Sequence, residues 1–193
     1  MFIAVERHTT RVSTQSTDAV VGEQATGGLS NSQIVGLWGA IVGLGWVVSQ
    51  AIAVTGVPGV ATETAIVAFW LVGSLVPIGA SFYWMRTNEF TGLFPTWTVL
   101  GVTGIVLSFA VAFEFLVGSA LIYGALWFVG PAVGFLVTAQ YMTDWSAQLY
   151  TGAAVANLVG AAAVLFVPGF DAVYFLVAAA IQGGPMLYHS TKL

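Results

Sequence analysis

Six uninterrupted apolar runs constrain the fold of this chain more than any other feature of its sequence. Each run has close to the roughly 20 residues that an α-helix needs to cross about 30 Å of hydrocarbon. None of them alternates apolar and polar residues as a membrane β-strand does. The pattern predicts an all-α integral membrane protein whose six transmembrane helices lie near residues 34–54, 64–85, 94–115, 117–141, 147–167 and 170–188.

Charged residues make up only 6% of the 193 residues, against roughly 25% in a soluble domain. So few charges cannot cover a surface that faces water, and the lipid bilayer is the expected partner of most of this surface. The net charge is -4, and Lys192 is the single lysine. Because nucleic-acid binding needs a basic surface, the composition argues against a nucleic-acid partner.

The first 30 residues differ from the rest, because they are polar and rich in Ser, Thr, Gly and Gln. We interpret residues 1–30 as a disordered cytoplasmic tail and residues 31–193 as a six-helix transmembrane domain. The four basic residues all fall on one side of a six-helix topology. The positive-inside rule then predicts a multi-pass protein of the cell membrane with both termini in the cytoplasm. The four basic residues are Arg7, Arg11, Arg86 and Lys192.

Three prolines indicate an internal repeat. Pro77, Pro131 and Pro185 lie in the second, fourth and sixth runs, at equal intervals of 54 residues. Short connections make consecutive helices antiparallel neighbours. The repeat therefore predicts three antiparallel hairpins in a pseudo-threefold bundle, with a helix break at each proline. The alternative is a chance spacing, because membrane helices tolerate proline.

The sequence contains no recognisable catalytic or metal-binding pattern. Cysteine is absent, and no run contains a lysine or a pair of acidic residues. His8 lies in the tail and His189 at the end of the sixth run, and neither a His-Glu-x-x-His zinc motif nor a phosphate-binding loop occurs. We therefore expect no enzymatic activity, no metal and no cofactor. The uncharged centres of the runs also argue against a carrier that uses a buried carboxylate.

Neutral polar residues remain as candidates for a solute pathway. Asn157 is central in the fifth run, and Gln182 lies beside the break at Gly183, Gly184 and Pro185. At such a break, backbone groups lose their helical partners. Each side chain suits either of two roles. It forms an interhelical hydrogen bond that fixes packing, or it lines the path of a small polar or anionic solute.

Three short segments carry a family resemblance. Residues 31–37 read Asn-Ser-Gln-Ile-Val-Gly-Leu, residues 88–92 read Asn-Glu-Phe-Thr-Gly, and residues 124–127 read Gly-Ala-Leu-Trp. They resemble the Asn-Pro-Ala-Pro-Leu-Gly-Leu signature, the Gly-Asn-Thr-Phe-Gly loop and the Gly-Leu-Trp of the acetate uptake transporters, or succinate–acetate permeases. Both prolines of the signature are replaced here. The length, the six helices and the cytoplasmic termini are similar as well, so the chain looks like a divergent member.

The resemblance implies a homo-oligomeric ring in which Asn31 lies at the entry to the first helix. It also implies a narrow hydrophobic constriction at Ala40, at Val99 or Leu100, and at Ala154. The family forms this constriction from a Phe, a Tyr and a Leu, and no matched position here has the residue of its family counterpart. Pore width and substrate therefore do not carry over from the family.

Taken together, these patterns predict a membrane channel or transporter for a small monocarboxylate such as acetate. One alternative is a channel for a small neutral solute such as urea or an amide. That related family shares the architecture, but its termini are usually drawn on the outside. A second alternative is a non-transporting membrane scaffold subunit. A continuous polar-lined path would favour transport, and a dry, fully packed bundle axis would favour the scaffold.

Overall fold

The computed structural model describes residues 31–87, 93–112 and 120–193, and the predicted tail 1–30 lies outside them. These parts of the chain are helical, with one isolated β-bridge between Val57 and Val60. The prediction of an all-α protein with six helices is confirmed. They are α1 Asn31–Thr55, α2 Thr62–Thr87, α3 Leu93–Ala112, α4 Ala120–Gln140, α5 Asp144–Phe166, and α6, composed of Tyr174–Ala178, the π-helical Ala179–Gly183 and Gly184–Ser190.

Two turns with the same sequence pattern follow α1 and α5. They are Val57-Pro58-Gly59-Val60 and Val167-Pro168-Gly169-Phe170. In both, the N–H of the fourth residue donates to the carbonyl of the first, at 3.1 Å and 3.2 Å. The glycines adopt positive φ angles of 76° and 78°. Proline followed by a glycine with positive φ is the pattern of a type II turn, so the local sequence ends both helices sharply.

A proline interrupts α6 near its middle. Pro185 has no N–H to donate to the carbonyl of Ile181, four residues earlier, and its ring crowds the preceding turn. The chain adopts a π-helical turn over Ala179–Gly183 before the second α-helical segment. By contrast, α2 and α4 continue past Pro77 and Pro131. Since π-helical turns occur frequently at functional sites, this part of α6 is a candidate location for a functional site.

Each helix contacts its neighbours in the chain, and α6 also contacts α1. At the α1–α6 contact the two backbones approach closely. A Cβ added to Gly183 would lie 2.7 Å from Gly43 Cα and 2.9 Å from the Gly39 carbonyl oxygen. Glycines allow helix backbones to pack this closely in a membrane. The sequence of contacts therefore closes on itself, whereas the grouping into three hairpins about a pseudo-threefold axis stays a prediction.

Tryptophan rings seated on glycines connect neighbouring helices. The Trp70 ring of α2 occupies the space in which a Cβ on Gly45 of α1 would lie. Trp70 Nε1 donates to Ser49 Oγ at 2.9 Å, and Ser49 Oγ donates to the Gly45 carbonyl at 2.9 Å. Glycine makes room for the ring, and the serine one turn later accepts its N–H. The large Trp70 side chain is thus packed between helices with its indole N–H hydrogen-bonded.

The same arrangement occurs between α3 and α4. The Trp97 ring lies over Gly134, and its Nε1 donates to Thr138 Oγ1 at 3.0 Å. Thr138 Oγ1 in turn donates to the Gly134 carbonyl at 2.8 Å. In the opposite direction, the Trp127 ring of α4 lies over Gly104 of α3. These contacts fix how α3 and α4 face each other, because a side chain larger than hydrogen at either glycine would displace the ring.

Three helical segments in the described part of the chain are long and apolar enough to cross a membrane. Large apolar side chains such as Leu44, Val72 and Val159 are exposed on the surface. Such extensive apolar exposure suits contact with lipid rather than water. These features support a membrane location, whereas the number of crossings and the side of the termini stay predictions. The three segments are Ser32–Thr55, Ile122–Gln140 and Asp144–Phe166.

Candidate functional site

The two amide side chains selected from the sequence meet inside the bundle. Gln182 Nε2 of α6 donates to Asn157 Oδ1 of α5 at 3.0 Å. Asn157 is 0% exposed and Gln182 is 3% exposed. Two amides are rarely buried this deeply unless their hydrogen bonds are satisfied, because an unpaired polar group costs free energy away from water. We call these two side chains the amide pair, and they form the candidate site.

Gln182 joins four helices at one point. Trp46 Nε1 of α1 donates to Gln182 Oε1 at 2.8 Å. Besides its bond to Asn157 of α5, Gln182 Nε2 donates to the Trp127 carbonyl of α4 at 3.0 Å. An amide NH2 group has two hydrogens, and both have acceptors here. The side chain thus has a partner for each donor hydrogen and for its oxygen.

The carbonyls that the amide pair contacts are those that two prolines leave without a helical donor. Pro131 cannot donate to the Trp127 carbonyl four residues earlier, and Pro185 cannot donate to that of Ile181. Gln182 Nε2 donates to the first of these at 3.0 Å. Asn157 Nδ2 lies 3.5 Å from the second, a long hydrogen bond, and donates at 2.9 Å to the Ala153 carbonyl of its own helix. The amide pair therefore lies against both carbonyls that lose a helical donor to a proline.

Aromatic rings surround this polar centre. The Trp46 ring centroid lies 4.9 Å from that of Trp70, 5.4 Å from that of Trp127 and 5.7 Å from that of Phe175. Phe128 is completely buried in the same cluster. At this level the interior is filled by side chains in contact. The arrangement offers neutral hydrogen-bond donors and acceptors, so its chemistry is that of binding or packing rather than of acid–base catalysis.

The other residues predicted from the sequence lie at varying distances along the helices. Ala154 is completely buried, one turn before Asn157 on α5, and packs with Phe135 and Tyr150. Ala40 is partly buried on α1, and Leu100 is partly buried on α3. The structure therefore brings Asn157, Gln182 and the backbone near two prolines together, with Ala154 one turn away. Asn31 begins α1 and Pro77 lies in α2, but their side chains lie outside the described residues.

Two participants were not anticipated as part of the site. From the sequence, Trp46 and Trp127 are most simply interpreted as core-packing residues. The role of the Trp127 carbonyl follows from a signal that was available, because the carbonyl four residues before a proline loses its helical donor. The role of Trp46 has no comparable signal, since its hydrogen bond to Gln182 joins residues 136 positions apart.

A second polar contact joins the beginning of α5 to the end of α6. Tyr150 Oη and His189 Nδ1 are 2.8 Å apart, and the His189 ring packs edge-on against Trp145 at a centroid distance of 5.3 Å. His189 is 4% exposed, in the last turn of α6 and one residue beyond the predicted sixth span. Burial lowers the pKa of its imidazole below the ordinary value. A neutral imidazole can accept the Tyr150 hydroxyl proton at Nδ1.

No family model matches the chain, and neither a curated protein nor a solved structure matches it. The resemblance to the acetate uptake transporters therefore stays an interpretation of short motifs. The functional argument depends on the amide pair and its surroundings.

Proposed function

We propose that the protein is a multi-pass cell-membrane carrier for a small monocarboxylate such as acetate, with the amide pair as its solute site and both termini in the cytoplasm. The observation that carries the proposal is the position of Asn157 and Gln182. Both are neutral, completely or almost completely buried, and hydrogen-bonded beside the interruption of α6 and the proline of α4. Polar groups at an interrupted helix are typical of solute sites in transporters built from repeats.

A carrier fits this geometry better than a permanently open channel. Trp46, Trp127 and Phe175 fill the interior around Gln182, so a solute could reach the amide pair only after helices move apart. The glycine contact between α1 and α6 provides a place for such movement, because the small residues packed there have no large side chains to obstruct one backbone as it slides past the other. The solute would then enter when helices part toward one side of the membrane and leave when they part toward the other.

The available hydrogen-bond groups suit a small carboxylate. The amides of Asn157 and Gln182 and the indole N–H of Trp46 could donate to carboxylate oxygens, and the surrounding rings could contact a methyl group. In the present arrangement these donors are bonded to protein oxygens. A solute must replace those bonds, and no cationic side chain belongs to the pair, so we expect weak binding. A homo-oligomeric ring is part of the proposal, on the basis of the resemblance alone.

The test is uptake of labelled acetate, urea and formamide by liposomes that contain the purified protein, with empty liposomes as the blank. Asn157→Leu should lower acetate uptake at least tenfold, because it removes one of the two amides. Thr151→Val is the matched control, since Thr151 is exposed on the same helix and its hydroxyl donates to the Ala147 carbonyl of that helix. Equal uptake by both variants would remove Asn157 from the site. Uptake of urea or formamide alone would favour the neutral-solute channel.

A second candidate function is a non-transporting membrane scaffold. The observation that favours it is the completeness of the hydrogen bonds of Gln182, whose groups are all used within the protein. Such a network can serve purely to hold four helices together. A folded protein that takes up none of the three solutes above the blank would favour this function over the carrier.

A further inference from the structure

The contact between Tyr150 and His189 joins α5 to the last turn of α6. Tyr150 Oη lies 2.8 Å from His189 Nδ1, and both residues are almost completely buried. Their rings also pack edge-on, with centroids 5.3 Å apart. The carrier proposal does not use this contact.

The surroundings of His189 suit its neutral form. Trp145 covers one side of the ring, and burial is the cause of the lowered pKa. The charged groups on the packed elements are Asp144 at the start of α5 and Lys192 after α6, and residues 31–40 of α1 carry no charge. Lys192 Nζ lies 5.5 Å from the Tyr188 ring centroid. The helix dipole at the end of α6 favours a cation, whereas burial lowers the pKa of the imidazole.

Protonation of His189 would change this contact in two ways. It would place a positive charge in apolar surroundings, which is unfavourable without a partner anion. It would also turn Nδ1 from an acceptor into a donor, so the hydrogen bond would reverse toward Tyr150 Oη and the Tyr150 hydroxyl proton would need another acceptor at a buried position. The reversed bond can persist, so the buried charge and the unpaired hydroxyl proton are what oppose the packed position of the end of α6.

We propose that the Tyr150–His189 contact is a pH-operated latch, which holds the last turn of α6 against α5 while His189 is neutral and releases it when His189 is protonated. The helix is already interrupted at Ala179–Gly183, which gives the segment after it, Gly184–Ser190, a place to bend, while its other face packs on α1 and Ser32 Oγ donates to the Ser190 carbonyl at 3.0 Å. The same segment carries Met186, which packs against the buried cluster of Phe135 and Tyr150.

The latch can be tested by the accessibility of a thiol. The chain has no cysteine, so Met186→Cys provides a single reporter beside Tyr150. Its labelling rate is measured from about pH 8 to about pH 5 and divided by the rate in the His189→Gln variant at the same pH, which cancels the intrinsic pH dependence of the thiol. Glutamine offers an acceptor to the Tyr150 hydroxyl but cannot be protonated, so we expect a ratio near one at the upper end and a rise of several-fold at the lower end. A ratio that is constant over the range would overturn the proposal.

Two further variants keep the test decisive. His8→Ala leaves His189 as the only histidine, so its ring protons can be titrated by NMR, and the rise in labelling should follow this titration. Tyr150→Phe removes the hydroxyl without adding charge and should already increase Met186→Cys labelling at about pH 8. It remains informative if His189→Gln does not fold. Labelling that is unaffected by Tyr150→Phe, or that changes at a pH where His189 does not titrate, would contradict the latch.

Discussion

Replacing Gln182 by leucine should destabilise the protein substantially. The change removes three hydrogen bonds at once and leaves Trp46 Nε1, the Trp127 carbonyl and Asn157 Oδ1 without the partner they have now. A hydrogen bond between helices in a membrane is worth about 0.6 kcal/mol on average and at most about 1.7. Three such bonds give a loss of roughly 2–5 kcal/mol in the free energy of unfolding. We expect a value in the upper half of this range, because the groups left without partners are buried away from water.

The matched control is Gln50→Leu, the same chemical change on α1. Gln50 is only partly buried and makes one hydrogen bond, from Nε2 to the Ala172 carbonyl at 3.1 Å. Its Oε1 has no hydrogen-bond partner within the described part of the chain, so removing the amide also removes an unsatisfied acceptor. We expect a loss below about 1 kcal/mol for this variant.

The assay is reversible unfolding of each purified variant by a denaturing detergent, followed by tryptophan fluorescence. The reasoning is refuted if Gln182→Leu is no less stable than Gln50→Leu. That outcome would mean that Trp46 and Asn157 find other hydrogen-bond partners at little cost in free energy. The packing of the interior would then not depend on the hydrogen bonds of Gln182.

Three further changes test other parts of the fold. Gly183→Ala should lower the free energy of unfolding by roughly 1–3 kcal/mol, because its Cβ would press on the α1 backbone. Gly184→Ala meets open space and should be neutral or slightly stabilising in the same unfolding assay. Equal effects of the two changes would contradict the close contact between α1 and α6. Gly45→Ala should displace the Trp70 ring and be visible as a change in near-UV circular dichroism, and an unchanged spectrum would argue against that packing. Because burial lowers the pKa of His189, the unfolded chain binds its proton more readily, so stability should fall relative to His189→Gln as the pH drops below about 6.5; parallel pH profiles would exclude this.

The number of helices could be predicted from the sequence because lipid leaves the chain few alternatives. The expected fifth span, 147–167, differs from α5, Asp144–Phe166, by only a few residues. Length and apolar composition determine such segments, since each backbone polar group must be bonded within the segment. The turns after α1 and α5 follow similarly from local chemistry, because each combines proline with a glycine at positive φ.

The interior could be predicted only in part. Asn157 and Gln182 stand out as polar residues in apolar runs, and Pro131 and Pro185 identify carbonyls without helical donors. Which side chain bonds to which carbonyl depends on how α4, α5 and α6 face one another, and no local pattern encodes that. The π-helical turn at Ala179–Gly183 is a similar case. Pro185 predicts an irregularity there, but its form depends on the packing of α6 against α1.

The central claim is that the amide pair serves a carrier for a small monocarboxylate. The most direct measurement is the exchange of labelled acetate across liposomes that contain the protein, at about pH 8, where little uncharged acid is present to cross the lipid itself. A carrier predicts that entry saturates with acetate concentration and accelerates when unlabelled acetate is loaded inside. Uptake that does not exceed that of empty liposomes, from protein shown to be folded, would contradict the claim.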